Sequence, residues 1–214
     1  MLAKDQLVGV ILAGGQARRM QGADKPLTEI AGKPLLQYVI ERAQPQLSNM
    51  LLNTNGDVDR YARFQLPIQA DIVPDFAGPL AGVVSAMAWA RAFQPQASHI
   101  ITIAADTPFY PSDYVERMLA AVDEQHPLAC ASYRGRTQPV FGLWPIDLHN
   151  ELHHALLEEG IHKVDLFSAR YGVADVVFDD MPYNPFFNVN RLADVAEGEA
   201  LLAAHVAYEV PVVV

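Results

Sequence analysis

The sequence has little of several features that would indicate other classes of protein. It contains one cysteine, no long apolar run, and 15 lysines and arginines against 25 aspartates and glutamates, a formal net charge of −10. One cysteine cannot form an internal disulfide, and the absence of a basic leader or long apolar span argues against export and membrane insertion. An acidic chain also lacks the basic surface that nucleic acids require. We therefore expect a cytoplasmic protein with neither a membrane nor a nucleic acid as partner.

Three common motifs for phosphate binding and nucleophilic catalysis are also absent. A Walker A loop needs a second glycine five places after the first, followed by Lys-Ser/Thr, but Arg19 and Met20 stand five places after Gly14 and Gly15. A dinucleotide-binding fingerprint needs a glycine two places after the first, where this chain has Gln16. Since no Gly-x-Ser-x-Gly sequence occurs either, the nucleophile elbow of the hydrolases is excluded.

The order of predicted elements indicates a single α/β domain over residues 1–214. At this length, with 51% hydrophobic residues, the chain can form one good core. The predicted strands cover residues 7–12, 50–53, 67–72, 99–104, 127–132, 139–144 and 175–178. The predicted helices cover residues 34–44, 57–64, 80–92, 112–123 and 191–205. This alternation predicts a doubly wound, mostly parallel sheet, with one late strand antiparallel at an edge.

The segment that follows the first predicted strand favours the binding of an anionic ligand. It reads Leu12-Ala13-Gly14-Gly15-Gln16-Ala17-Arg18-Arg19-Met20-Gln21-Gly22-Ala23-Asp24-Lys25. The glycine pair lets main-chain N–H groups approach a phosphate closely, while the arginines or Lys25 supply positive charge. The loop leaves the carboxyl end of a strand, where open α/β sheets bind ligands. An ordinary βα turn with solvated basic residues is the alternative.

Three polar side chains follow or end other predicted strands at the same edge. Asp106 follows the fourth strand, and a lone carboxylate can hold Mg²⁺ when waters and substrate phosphates complete the shell. Asn53 and Asp71 lie at the ends of the second and third strands. A carboxylate at Asp71 could accept the N1–H and N2–H groups that guanine presents together. The alternatives are a cap or turn role for Asp106 and turn formation for the other two.

Two further groups have spacings that suggest ligation. Asn188 and Asn190 alternate at period two, so both amides would face one side of an extended segment and either could bind a metal or substrate. A helix N-cap is the plainer role for Asn190. His149 and His153 stand four apart, a spacing that can hold a transition metal, but we favour a solvated surface helix because no further ligand completes the set.

Together these motifs resemble one family, the molybdenum cofactor guanylyltransferases, which are nucleotidyltransferases with a Rossmann-like, glycosyltransferase-A-like fold. The resemblance extends over almost the whole chain, although the segment after Glu199 is longer than the family leads us to expect. The matching motifs are Leu12-Ala13-Gly14-Gly15 with Arg19-Met20, Gly22 and Asp24-Lys25; Gly32-Lys33-Pro34-Leu35; Asn53; Asp71; Gly78-Pro79-Leu80-Ala81-Gly82; Asp106-Thr107-Pro108; and Phe187-Asn188-Val189-Asn190.

The resemblance implies transfer of GMP from GTP to molybdopterin, or to its molybdenum-loaded form, with release of pyrophosphate. The first loop, Leu12-Ala13-Gly14-Gly15, would contact the nucleotide, and Asn53 and Asp71 would contact guanosine. Lys25, Arg19 and Asp106 would be catalytic, with Lys25 on a phosphate and Asp106 on the cofactor Mg²⁺. Asn188 and Asn190 would assist at the acceptor or the metal.

Two alternative functions stay open beside the guanylyltransferase, and the resemblance also implies protein partners. Ala13-Gly14-Gly15 favours the guanylyl branch, because the sister cytidylyltransferases usually have Ala-Ala-Gly there. A cytidylyl- or sugar-phosphate nucleotidyltransferase is the second interpretation, and a non-catalytic nucleotide-binding module is the third. Transient contact with molybdoenzyme chaperones or apo-enzymes is implied by the need to hand over an oxidation-sensitive product.

Overall fold

The computed structural model describes residues 4–14, 24–73, 78–180 and 183–209. The strands are β1 (Leu7–Leu12), β2 (Glu29–Ile30), β3 (Lys33–Pro34), β4 (Asn49–Asn53), β5 (Ile68–Gln69), β6 (His99–Ala104), β7 (Leu128–Tyr133), β8 (Arg136–Pro145) and β9 (Val173–Phe178). The helices are α1 (Leu35–Ala43), α2 (Pro79–Phe93), α3 (Tyr114–Ala121), α4 (His149–Leu157), α5 (Val164–Ser168) and α6 (Leu192–Glu209). Short 3₁₀ turns occur at Lys4–Gln6, Lys25–Leu27, Val58–Arg60, Ala62–Phe64 and Ile146–Leu148.

Seven strands form the central sheet in the order β5-β4-β1-β6-β8-β7-β9, and β2 and β3 form a separate hairpin. Strand β8 runs antiparallel to both of its neighbours, whereas β1, β4, β5 and β6 pair in parallel and so do β7 and β9. The predicted mostly parallel α/β sheet is therefore confirmed. The predicted edge position of the antiparallel strand is wrong, because β8 lies between β6 and β7.

The reason for this inner position is the connection between β7 and β8. Arg134 and Gly135 both have positive φ, 49° and 72°, and form a two-residue turn between Tyr133 and Arg136. Such a tight turn makes consecutive strands antiparallel neighbours. Because β8 is ten residues long, its second half then pairs with β6 on the other side.

Helices cover both faces of the sheet, as a doubly wound fold requires. One face is packed by α1 and α3, whose buried side chains include Leu36, Val39 and Met118. The other face is packed by α2, α4 and α5, where α2 contributes a nearly continuous run of buried residues. This arrangement confirms the doubly wound prediction.

The strands that carry the predicted site end at a single edge. In the register of the sheet, Leu12 lies beside both Asn53 and Ala104, and Asn53 lies beside Gln69. The loops after β1, β4, β5 and β6 therefore all begin at the same edge of the sheet. This is the edge at which open α/β sheets bind their ligands.

Two elements near this edge differ from the predictions. The predicted strand 67–72 shortens to β5, because the N–H of Asp71 donates to Asn55 Oδ1 at 2.8 Å rather than to a strand. The predicted helix at 57–64 is wrong, since the segment forms two 3₁₀ turns and ends at Gln65, which has a left-handed φ of 55°.

Helix α6 packs against the β2–β3 hairpin. Val195, Leu201 and Leu202 of α6 pack against a small core that includes Ile30 of the hairpin, and the carboxylate of Glu199 accepts the N–H of Ala31 at 3.1 Å. The segment after Glu199, which is longer than the family resemblance led us to expect, is helical as far as Glu209, where α6 ends. Across the described ranges, no helix is both long enough and apolar enough to span a membrane.

Candidate active site

The first loop begins beside the ends of β4 and β6. Ala13 donates its N–H to Asn53 O at 2.8 Å, and Leu12 O accepts the N–H of Ala105 at 3.1 Å. A Cβ atom placed on Gly14 would lie 3.6 Å from Asn53 Oδ1 and 4.0 Å from Asp71 Oδ2. The main chain of Leu12, Ala13 and Gly14 therefore borders the side chains that end the neighbouring strands.

Asn53, Asn55 and Asp71 form what we call the amide–carboxylate cluster. Asn53 Nδ2 donates to Asp71 Oδ1 at 3.0 Å and to the main-chain oxygen of Gln69 at 3.0 Å. Asn55 Nδ2 donates to Asp71 Oδ2 at 2.7 Å. Each oxygen of the Asp71 carboxylate is thus fixed by one amide. The structure places Asn53 and Asp71 together as the sequence predicted. Asn55 was not predicted, although its Asn-x-Asn spacing from Asn53 is visible in the sequence.

Gly82 on α2 makes room for this cluster. A Cβ atom at Gly82 would lie 2.4 Å from Asn53 Oδ1 and 2.7 Å from Leu12 Cδ2, closer than real contacts allow. Asn53 is 2% exposed, so its side chain has little freedom to move away. The glycine therefore lets α2 approach the end of β4, a reason for its presence in the Gly78-Pro79-Leu80-Ala81-Gly82 motif.

Lys25, Asp106, Thr107, Asn188 and Asn190 form a second group, the lysine–carboxylate cluster. Lys25 Nζ forms an ion pair with Asp106 Oδ2 and donates to Asn190 Oδ1. Thr107 Oγ1 lies 3.1 Å from Asp106 Oδ1 and also contacts Asn188 Oδ1. The side chains of Lys25 and Asp106 are 21% and 20% exposed, so the ion pair is reachable from solvent.

The segment 188–190 is held against Asp106 through the main chain. Val189 donates its N–H to Asp106 O at 3.0 Å, and its own side chain is fully buried. The predicted N-cap role of Asn190 is wrong, because α6 begins at Leu192 and Asn190 Oδ1 accepts from Lys25 Nζ instead. The Asp194 carboxylate accepts the N–H groups of Asn190 and Arg191 at 2.7 and 2.9 Å. The Asn190 side chain is left to contact the lysine–carboxylate cluster.

An ion pair connects the loops that carry the two clusters. Arg60 Nη1 lies 2.5 Å from Asp24 Oδ2. Asp24 immediately precedes Lys25, whereas Arg60 belongs to the turn that follows Asn55. Both side chains are partly exposed, so the contribution of this pair to stability is small.

The described residues include only part of the predicted first loop. Gly15 and Arg19, together with Arg18, lie outside the described residues. Within residues 4–14, 24–73, 78–180 and 183–209, no three histidine, cysteine, aspartate or glutamate side chains gather as a metal site. Any cation at Asp106 would therefore depend on neutral oxygen ligands and substrate.

Two other candidate groups lie away from this edge. His149 and His153 stack on α4 with ring centroids 6.0 Å apart, and His149 Nδ1 lies 3.3 Å from Arg91 Nη1. A neighbouring arginine does not favour a cation there, which supports the surface-helix interpretation.

The Cys130 thiol is partly buried in β7, and burial raises its pKa to about 11. Such a thiol stays protonated near neutral pH and is a poor nucleophile.

Comparison with known proteins gives a consistent result. Residues 9–171 match the family model of the MobA-like NTP transferase domain. A molybdenum cofactor guanylyltransferase of a Bradyrhizobium species is 49% identical over 196 residues, which cover 91% of this chain and 92% of the relative. A molybdenum cofactor guanylyltransferase of Rhodopseudomonas palustris is 49% identical over 193 residues, covering 90% of this chain and 92% of the relative.

A solved structure supports the fold. Molybdopterin-guanine dinucleotide biosynthesis protein A from Archaeoglobus fulgidus superimposes with a TM-score of 0.70 at 22% sequence identity. The superposition covers 92% of this chain and 99% of the archaeal chain.

Proposed function

This chain belongs to the MobA-like NTP transferase family, and we propose that it transfers GMP from GTP to the terminal phosphate of molybdopterin or of its molybdenum-loaded form. The products would be pyrophosphate and the molybdopterin guanine dinucleotide cofactor. The observation that carries this proposal is the Asp71 carboxylate, held by two amides beside Gly14 at the same sheet edge as Lys25 and Asp106.

The amide–carboxylate cluster supports guanine as the base. An ionised carboxylate has about four lone-pair sites, and amide N–H groups of Asn53 and Asn55 use two of those on Asp71. The remaining sites match the two adjacent N–H donors of guanine. Cytosine and adenine present a ring-nitrogen acceptor at the corresponding edge, which would face the carboxylate without a proton.

The lysine–carboxylate cluster fits a magnesium ion by its chemistry. Its carboxylate and amide side chains offer oxygen atoms, the ligands that Mg²⁺ prefers, and the carboxylate is accessible from solvent. Asp106 would hold the ion, with Asn188 or Asn190 assisting, and the bound ion supplies positive charge to the phosphate oxygens.

The residues of this chain would act by positioning and charge neutralisation. A terminal phosphate oxygen of the pterin attacks the α-phosphorus of GTP in line, a new P–O bond forms, and the bond to pyrophosphate breaks. Since a phosphate nucleophile is already ionised, no general base is needed. Lys25 would leave Asp106 and neutralise charge on a phosphate, and main-chain N–H groups of the first loop would hold the nucleotide.

The experiment that tests this proposal measures pyrophosphate release from GTP, CTP and ATP with Mg²⁺ and molybdopterin. We expect release from GTP alone, and only when both molybdopterin and Mg²⁺ are present. A preference for CTP would favour a cytidylyltransferase. Tight GTP binding without turnover would favour a nucleotide-binding module. Hand-over of the product to a chaperone or an apo-molybdoenzyme stays a prediction from the resemblance.

A further inference from the structure

Asn55 makes an unusual pair of contacts for an exposed loop residue. Its Nδ2 donates to Asp71 Oδ2 at 2.7 Å, and its Oδ1 accepts the main-chain N–H of Asp71 at 2.8 Å. One amide thus bridges the backbone and the carboxylate of the same residue. Such a closed ring of bonds fixes the side-chain rotation of Asp71 relative to its own main chain.

Asn53 fixes the other carboxylate oxygen but also has a structural role. Its side chain is buried, bonds to Gln69 O, and packs against Gly82. By contrast, within the described part of the chain the Asn55 side chain bonds to Asp71 alone. A change at Asn55 therefore alters the carboxylate while leaving the core in place.

We propose that Asn55 is a positioning residue that sets base selectivity by aiming the Asp71 carboxylate at the N1–H and N2–H groups of guanine. This inference rests on the proposed function, because it takes GTP as the substrate. A carboxylate free to rotate would still accept one N–H group. It would lose the second bond, because two parallel donors need both oxygens in one fixed plane.

The test compares GTP with ITP, whose base keeps N1–H but lacks the 2-amino group. Dissociation constants for both nucleotides with Mg²⁺ are measured by titration calorimetry on the wild type, Asn55→Asp and Asn55→Ala. Asn55→Asp keeps the shape and the acceptor for the Asp71 N–H, removes the donor and adds a negative charge beside Asp71, whereas Asn55→Ala removes the donor without adding charge. Asp57→Ala is the matched control, since it removes a side-chain bond in the same loop, to Asp59 N at 3.1 Å, without touching Asp71.

We expect the wild type to bind GTP about tenfold to a hundredfold more tightly than ITP, the range for one hydrogen bond to a charged group. In both Asn55 variants we expect this ratio to fall by about tenfold, and in Asp57→Ala we expect no change. In turnover, KM for GTP should rise in the Asn55 variants, while kcat at saturating GTP stays within about twofold, because Asn55 does not contact the reacting phosphate.

Equal weakening of GTP and ITP in the Asn55 variants, with the ratio intact, would overturn the inference and leave Asn55 a loop-stabilising residue. The proposed function fails in a different way. If a further titration of the wild type with CTP shows that it binds GTP no more tightly than CTP, guanine recognition is wrong altogether. A guanine-selective wild type with unchanged Asn55 variants overturns the role of Asn55 alone.

Discussion

The two clusters at the sheet edge differ in the charge of the groups that bond their carboxylates. Asp71 is bonded by the neutral amides of Asn53 and Asn55, so its negative charge is oriented but not cancelled. Asp106 is bonded by the ammonium of Lys25, so its charge is neutralised within the protein. The first arrangement is ready to receive donors from a ligand. The second must open before either partner can act on a phosphate.

Under the proposed function, this difference separates recognition of the base from transfer of the nucleotide. Preorganised groups lose little entropy when a ligand binds, which favours selectivity in the amide–carboxylate cluster. In the proposed reaction, the lysine–carboxylate cluster instead holds the charges of Lys25 and Asp106 together until substrate binds. We therefore expect changes in the first cluster to alter base choice, and changes in the second to alter turnover.

The largest expected effect is that of Asp106→Asn. The substitution keeps the shape of the side chain but removes the charge that Lys25 and a divalent cation require, so kcat should fall by about a hundredfold to a thousandfold or more. Steady-state pyrophosphate release measures this. GTP selectivity over ITP should be retained. Asp113→Asn, at an exposed aspartate before α3, is the matched control and should keep full activity.

Gly82→Ala tests the space beneath the amide–carboxylate cluster. Since the new Cβ would overlap Asn53 Oδ1, we expect the free energy of unfolding to fall by about 1–3 kcal/mol and GTP binding to weaken. Urea unfolding and calorimetry give the two quantities. Gly198→Ala in α6 is the control, because its Cβ makes only ordinary contacts at 3.6 Å or more, and it should stabilise by about 0.5–1 kcal/mol. Equal stability of the two variants would contradict the packing argument.

Val189→Ala tests the support of the lysine–carboxylate cluster. The fully buried side chain anchors the segment that carries Asn188 and Asn190, so its truncation should cost about 1–2 kcal/mol of stability. We also expect kcat to fall while the ratio of GTP to ITP affinity is unchanged. A shift in that ratio would show that the two clusters are not separable.

The smallest expected effect is a pH dependence of stability away from the site. Burial lowers the pKa of His99, partly offset by Asp147, at the start of β6. The folded state therefore disfavours the protonated imidazole. The stability that neutral His99 contributes is fully present above about pH 6.5, the pKa of histidine in the unfolded chain, and is lost as the pH falls through the lower pKa of the folded state. His99→Gln should flatten this part of a urea-unfolding series from about pH 7.5 to 5.5 without changing base selectivity. An unchanged slope would contradict the assignment to His99.

The sequence predicted the parallel strands best. The bounds of β1 and β6 are those expected, because continuous apolar runs are typical of strands buried on both faces. The inner position of β8 was not predictable from its own composition, since it depends on the turn at Arg134 and Gly135 and on pairing with distant β6.

The candidate site was predicted in part for a related reason. Asn53 ends β4, and Asp71 and Asp106 follow the ends of β5 and β6 by two residues, so the direction of the parallel strands brings all three to one edge. The bonds of Asn55 and Asp194 could not be foreseen, because they depend on the path of irregular loops rather than on any period.

The most direct test is a crystal structure with Mg²⁺ and a non-hydrolysable GTP analogue. We expect the N1 and N2 atoms of guanine to lie within hydrogen-bond distance of the two Asp71 carboxylate oxygens, and Lys25 Nζ to have moved from Asp106 to a phosphate oxygen. A base bound elsewhere, or a nucleotide bound with the Lys25–Asp106 ion pair still intact, would contradict this expectation.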